Sequence, residues 1–263
     1  MVDGVHIQGF IFNWPGRKQH AALLERMLRE HCEVSVINSD DSLRKAHPHW
    51  HHIGNDAYFT AQWNEAVKRF NGDVLLHIQA DIWPQNVGKM IAQCVRCMRE
   101  HAVGVYAPDM DFQPHAFSPR SLVPLEKGIY EVPVNDTSIW AIKAAVLRNT
   151  PAVDLKLCRF GWGIEFVVAA VAKRLGLRVV RDFRFRAGHI RSRGYNSQEA
   201  FTQWLAWKET LEPGLREVVE ELVRERDRMA YINNSPRLVV RGFRGIYGRI
   251  RRFSRIARRM ALH

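Results

Sequence analysis

The sequence is poor in cysteine: Cys32, Cys94, Cys97 and Cys158 are all it holds in 263 residues. Four thiols in a chain this long do not make a disulfide framework, so covalent cross-links are not what holds the fold. Long apolar runs are missing too. The longest, Phe166 to Ala172, falls far short of the roughly 20 residues that a bilayer-spanning helix needs. Met1-Val2-Asp3-Gly4 has no basic stretch leading into an apolar one, so no secretory signal is read there. These absences lead us to expect a reduced, cytoplasmic setting with any membrane attachment peripheral. Acid is scarce in one place: from Pro236 onward there are nine arginines and no Asp or Glu.

What is present is ordinary for a globular chain. With 46% apolar and 25% charged residues, wholesale disorder is excluded. The length suits one large α/β domain, or a medium domain with an appendage. Thirty-nine Lys and Arg against 27 Asp and Glu give a formal charge of +12. The segment from Pro236 carries +9 of this, which leaves 12 − 9 = +3 for everything before it. The chain therefore reads as a mildly basic body with a cationic tail.

Short apolar runs alternate with helical patterns in the first half, as in βαβ units. Strands are expected over Val5–Phe12, Glu33–Ile37, Asp73–Ile78 and Val103–Ala107, and helices over His20–His31, Ala57–Phe70 and Asn86–His101. The near-continuous apolar run before Ile78 marks a buried central strand. Further on, Val134–Ile142 reads as extended and Ala144–Asn149 as a short helix. A buried helix is expected over Ile164–Leu175, with Gly176 at its C′ position, then a strand over Leu177–Val180. Ser197–Met229 reads as helix interrupted near Pro213-Gly214.

Three segments carry chemistry. His77-Ile78-Gln79-Ala80-Asp81-Ile82-Trp83-Pro84 closes the buried strand, and ligands of open α/β sheets bind at such carboxyl ends. A carboxylate there suits a hard divalent cation bridging phosphate oxygens, although Asp81 could equally cap a following helix. In Gly161-Trp162-Gly163-Ile164-Glu165 the glycines permit a tight loop that sets Glu165 at a helix start, where the helix dipole also welcomes an ordinary acid. Gly188-His189 follows a strand and offers an imidazole to a metal shell.

The order and spacing of these segments resemble A-type (GT-A) glycosyltransferases of the large family-2-like group, over about residues 5 to 190. Ala61-Gln62-Trp63-Asn64-Glu65-Ala66, then Asn71-Gly72-Asp73-Val74-Leu75-Leu76, resembles the family's approach to its DxD motif. Gln79-Ala80-Asp81 occupies the DxD position, with Gln79 standing for the first acid. Gly161-Trp162-Gly163-Ile164-Glu165 resembles the GWG-acid loop, here with Phe166 in place of a second acid. The resemblance implies a single Rossmann-like GT-A domain, a mixed central sheet flanked by helices, with a C-terminal helical extension. We expect boundaries at 1–195 for the transferase domain, 196–235 for a helical extension and, from the charge pattern, 236–263 for the basic tail.

It also implies roles. Asp81 and His189 would hold Mn²⁺ or Mg²⁺, and Glu165 would be the catalytic base of an inverting transfer from a nucleotide-sugar donor. The residues implied to contact that donor are Asn13, Trp14, Arg17, Asn38, Ser39, Asp40, Asn64, Gln79, Ala80 and Trp162. Uridine is the donor base that family frequency favours. The implied acceptor is a glycan or lipid-linked hydroxyl in cell-surface polysaccharide synthesis.

Other features have plainer readings. His47-Pro48-His49-Trp50-His51-His52 matches no zinc spacing and reads as a polar loop entering a strand. Cys94 and Cys97 read as half-buried thiols on one helix face. Arg178, Arg181, Arg184, Arg186, Arg191 and Arg193 read mostly as a solvated face, some able to meet a diphosphate. In the tail, Ile246, Ile250, Phe253, Ile256 and Met260 form an apolar helical stripe among arginines, which suits an anionic membrane surface. Nucleic acid is not the expected partner. The competing functional readings are a nucleotidyltransferase-like enzyme and a basic nucleic-acid-binding protein.

Overall fold

The computed structural model describes residues 2–111, 113–189 and 196–234. The amphipathic tail, Arg191 and Arg193 therefore lie outside the described residues. Among the described residues ten strands form one mixed sheet. In chain order they are β1 (Ile7–Asn13), β2 (Glu33–Asn38), β3 (His51–His52), β4 (Val74–Gln79), β5 (Ile82–Pro84), β6 (Val103–Met110), β7 (Val123–Glu126), β8 (Ile129–Glu131), β9 (Ile139–Lys143) and β10 (Arg178–His189). The helices are α1 (Lys18–Arg29), α2 (Phe59–Arg69), α3 (Val87–Glu100), α4 (Ala144–Asn149), α5 (Ile164–Arg174), α6 (Ser197–Glu209) and α7 (Pro213–Asn234).

The strands lie in the order β3-β2-β1-β4-β9-β6-β10-β8-β7, with β5 paired to β10. β1 is parallel to both β2 and β4, while β9 runs antiparallel to β4 and to β6, and β10 is parallel to β6. The carboxyl ends of β1, β2, β4, β6 and β10 therefore share one edge of the sheet. That edge is where an α/β sheet of this kind offers its crevice.

Side-chain alternation explains the layers. Phe10 and Phe12 of β1 join a core with Trp63 of α2, Val146 of α4, all the buried residues of α5, and Trp204, Trp207, Leu215 and Val219 of α6 and α7. Ile7 and Ile11 face the other way, into a core built by Leu24 and Leu28 of α1 and by Met90, Ile91 and Cys94 of α3. α5 is apolar nearly all round because it is walled in by the sheet, α4 and α7. It ends at Gly176, whose φ of +68° is the left-handed conformation expected of a C′ glycine. The C-terminal helices thus belong to the same core as the sheet.

Four expectations are corrected. The last strand does not stop at Val180 but runs to His189, its exposed arginines paired along the way: Arg178 with Glu131, Arg184 with Asp182 and Arg186 with Asp111. Nor is Arg181 part of a solvated face, since it is buried and donates to Asn135 Oδ1 and to the carbonyl oxygens of His115 and Val134. Residues 134–138 are not strand: the Asp136 carboxylate accepts the Ser138 N–H in a turn, and β9 begins only at Ile139. The thiols of Cys94 and Cys97 are fully rather than half buried, which pushes both upward in pKa.

The histidine-rich stretch is a loop that enters β3, as its composition suggests. Its Trp50 is buried, and the indole N–H donates to Glu25 Oε2 of α1 at 2.9 Å.

His77, in the middle of β4, lies between Phe12 and Phe59, with ring centroids 3.9 and 5.6 Å away. Burial lowers its pKa to about 3, below the ordinary value of 6.5. A folded-state pKa depressed in this way leaves stability intact above pH 6.5 and removes it as pH falls toward 3. The loss is about 1.4 kcal/mol per pH unit within that window. In urea titrations from pH 7 to 4, His77→Phe should flatten the pH dependence by close to one proton. An unchanged slope would show that the ring is not held neutral.

Candidate active site

The carboxyl ends of β1, β2 and β3 are tied by a polar ladder. Asn13 donates to Asn38 Oδ1 at 2.6 Å, and the Asn38 amide donates to Asp40 O and to His52 Nδ1, both at 2.8 Å. With Nδ1 accepting, His52 is left as the Nε2–H tautomer, and it gives that proton to His47 O at 2.9 Å. Ser39 Oγ donates to Asn13 O, and Asp40 Oδ1 accepts from Ser42 N–H and Oγ–H to start a 3-10 turn at Asp41–Leu43. Asn13 Oδ1 has no donor and is buried. Trp14 and Arg17 follow at once, Trp14 half-buried against the α1–α3 core.

Among the residues expected at the donor, Asn64 is not brought to this edge. Its amide donates to Val153 O at 2.9 Å and ties α2 to the segment after α4. The reason is helical spacing: Gln62, two residues earlier, is the α2 residue that reaches the strand ends, donating to Asn13 O at 2.8 Å and Ile37 O at 3.1 Å.

At the end of β4, Gln79 N–H donates to Ser138 O and Ala80 N–H to Phe12 O, so the ladder continues to the threshold of Asp81. β5 then turns back and pairs antiparallel with the end of β10, placing Ile82 opposite His189. This register puts His189 Nε2 3.3 Å from Asp81 Oδ2. Asp81 is buried at 2% exposure, and among the described residues its Oδ1 has no hydrogen-bond donor. Nor does Asp81 cap the following helix, because the N-cap of α3 is Asn86.

A buried carboxylate with an orphaned oxygen and an imidazole at its side is costly by itself, and it suits a divalent cation. Oxygen and imidazole donors together fit Mn²⁺, with Mg²⁺ served by the carboxylate. Among the described residues no third His, Cys, Asp or Glu completes a protein-only cage. A cation here would therefore need oxygens from a ligand and water.

Glu165 starts α5. The residues just before it have positive φ, +77° at Gly161 and +89° at Gly163, which L side chains rarely adopt. Space is also closed to them. A Cβ on Gly161 would enter the Phe59 ring and one on Gly163 the Trp204 ring, both well under 3.0 Å. Gly163→Ala should therefore cost roughly 3 kcal/mol from backbone strain and overpacking together. A melting temperature within a degree or two of wild type would refute that.

Glu165 Oε2 accepts the Gly163 N–H at 3.1 Å, while Oε1 faces His115 Nε2 at 3.6 Å. Trp162 is half-buried against the core. A packed column joins this loop to the central strand: Gly161 rests on Phe59, and Phe59 meets both Phe12 and His77. The loop that precedes Glu165 is thereby anchored on β1 and β4. Gln62, His52 and His115 also lie against these groups, and of the three His115 falls in none of the motifs singled out in the sequence.

No protein-family profile matches the sequence, and no curated protein matches it. Solved structures do. Over 89% of this chain it superposes on GalNAc-T7 crystallised with UDP, GalNAc and Mn²⁺, with a TM-score of 0.57 and 12% identity, spanning 58% of that longer chain. TarS residues 1–349 from S. aureus, in complex with UDP-GlcNAc, matches over 89% of this chain and 76% of its own at TM-score 0.54 and 12% identity. Glucosyl-3-phosphoglycerate synthase from Mycobacterium tuberculosis, with Mn²⁺, UDP and phosphoglyceric acid, matches over 85% and 78% at TM-score 0.51 and 12% identity. The chain has the GT-A fold.

Proposed function

We propose that this chain is a metal-dependent glycosyltransferase that moves a sugar, with inversion, from a UDP-sugar to a hydroxyl of a glycan or glycolipid acceptor. The observation that carries this reading is the buried Asp81–His189 pair at the sheet's carboxyl edge, with Oδ1 of Asp81 left without a donor. Residues 1–195 would form the catalytic domain and 196–235 its helical extension. The UDP and metal bound by GalNAc-T7 and by the M. tuberculosis synthase support the reading.

In this mechanism the ladder Asn13–Asn38, with Ser39 and Asp40, lines the place of the nucleoside, beside Trp14 and Arg17. Gln79 and Ala80 border the diphosphate. Asp81 and His189 would hold Mn²⁺ or Mg²⁺, and the ion would supply positive charge to offset the charge of the leaving diphosphate. Trp162 offers an apolar face to a sugar ring. Glu165 accepts the proton of the attacking hydroxyl through Oε1, the oxygen not engaged by Gly163 N–H. The new bond forms from the acceptor oxygen to the anomeric carbon as the bond to the diphosphate oxygen breaks, and that oxygen keeps the electron pair. Attack from the opposite face inverts the anomeric centre.

No helix among the described residues is long and apolar enough to cross a membrane. The arginine-rich, amphipathic pattern of residues 236–263 supports attachment to the inner face of an anionic membrane, where cell-surface polysaccharide precursors are assembled.

Calorimetric titration of the full chain with UDP-, GDP- and dTDP-sugars, with and without Mn²⁺, tests the proposal. Binding of one donor only in the presence of Mn²⁺ is expected. Silence across the panel from folded protein, with tight binding to RNA or DNA, would favour the nucleic-acid reading instead.

A further inference from the structure

His115 lies outside every motif of the sequence, on the segment between β6 and β7, yet it is buried at 3% exposure. Among the described residues neither ring nitrogen has a hydrogen-bond partner. Its Nε2 stands 3.6 Å from Glu165 Oε1, and its ring meets Phe166 edge to face at 5.5 Å. The backbone there is fixed: Arg181, itself buried on β10, donates to His115 O at 2.7 Å and to Asn135 Oδ1 at 3.2 Å. The Arg181 guanidinium also lies 5.1 Å over the ring of Phe117, two residues on. A fully buried guanidinium thus holds the segment that aims this imidazole at the carboxylate.

A buried imidazole unsatisfied at both nitrogens needs an explanation, because such groups are nearly always paired. The separation of 3.6 Å is beyond a hydrogen bond but within reach of a small side-chain rotation. Catalytic hydrogen bonds are commonly long in ligand-free enzymes and tighten when substrate binds. Glu165 Oε2 is already fixed by Gly163 N–H, so a donor on Oε1 would hold the carboxylate plane from both oxygens.

Resting on the reading of Glu165 as the base, we infer that His115 is its positioning residue: the Nε2–H donates to Oε1 and orients the free lone pair toward the acceptor hydroxyl. Fixing the base in this way is what shortens the search for a reactive geometry. His115 touches no reacting atom. It acts through Glu165.

The first arm of the test needs no substrate. Long-range ¹H–¹⁵N spectra of the full chain are compared for wild type, Glu165→Gln and His115→Gln, the last identifying the His115 signals. The expected result is an Nε2–H tautomer whose ring signals move in Glu165→Gln, while those of a distant histidine such as His20 stay in place. Unmoved His115 signals would overturn the pairing.

The second arm uses whichever UDP-sugar binds with Mn²⁺. His115→Phe should lower kcat on the order of 100-fold with donor Kd unchanged, and His115→Gln, which keeps an N–H donor, should recover most of it. The double variant His115→Phe/Glu165→Gln should be no slower than Glu165→Gln alone, as for residues acting as one unit. Retained donor binding shows that each variant is folded. Full kcat in His115→Phe, or losses that multiply in the double variant, would overturn the positioning role. Full turnover in Glu165→Gln would instead remove the base assignment, and any positioning role with it.

Discussion

Asp81→Ala is expected to abolish metal-dependent donor binding, with a loss in affinity of about 100-fold or more, equivalent to about 3 kcal/mol. The ligand-free variant should melt no lower than wild type. The two effects have opposite signs because Asp81 is a poor structural residue: it is buried, and among the described residues its Oδ1 has no donor and its ionic partner is an imidazole. Removing a buried, under-satisfied carboxylate relieves a desolvation cost rather than breaking a network. Addition of Mn²⁺ and UDP should then raise the melting temperature of wild type and leave that of Asp81→Ala in place, since only a ligand that binds the native state stabilises it. A variant that loses stability in the absence of ligand, while still binding UDP and Mn²⁺, would make Asp81 a structural residue.

Glu165→Gln should act at the other step. Loss of a general base costs about 10²- to 10⁴-fold in turnover, and the donor Kd should stay within about twofold. The amide oxygen of Gln can still accept the Gly163 N–H, so the start of α5 and its loop should survive. The readouts are kcat from nucleotide release and Kd from calorimetry, taken on the same preparation. If kcat fell only together with donor affinity, Glu165 would belong to donor binding and not to proton transfer.

The parts of the fold that were legible in the sequence are those with strong local periodicity. β1, β4, α1, α3 and α5 carry apolar patterns that match one buried face or two, and Gly176 sits where α5 must end. β10 was legible only as far as Val180. Beyond it the sequence alternates Arg with Phe, and the strand is held by its pairing with β6, β8 and β5 and by the ion pairs of Arg184 with Glu126 and Arg186 with Asp111, distant residues that no local pattern reveals. β5 has three residues, too few for any periodicity, yet it decides the site by setting Ile82 opposite His189.

The candidate site divides along the same line. Asp81, Glu165 and His189 stood out because a strand end, a Gly-Trp-Gly loop and a Gly-His pair frame them. Gln62 rather than Asn64 serves the strand ends because of which helix face turns inward, and a two-residue difference in phase settles that. His115 could not be found from its neighbours at all. What makes it notable is a contact with Glu165, across β7 to β9 in the chain, and an anchor on Arg181.

The proposed function rests on a divalent cation shared by Asp81 and His189 at the carboxyl edge of the sheet. Diffraction from crystals of the protein grown with UDP and Mn²⁺, collected near the manganese absorption edge, addresses it most directly. One anomalous peak in contact with both Asp81 and His189, and with the UDP diphosphate, is the expected result. UDP bound at this edge with no anomalous peak at that pair would contradict it.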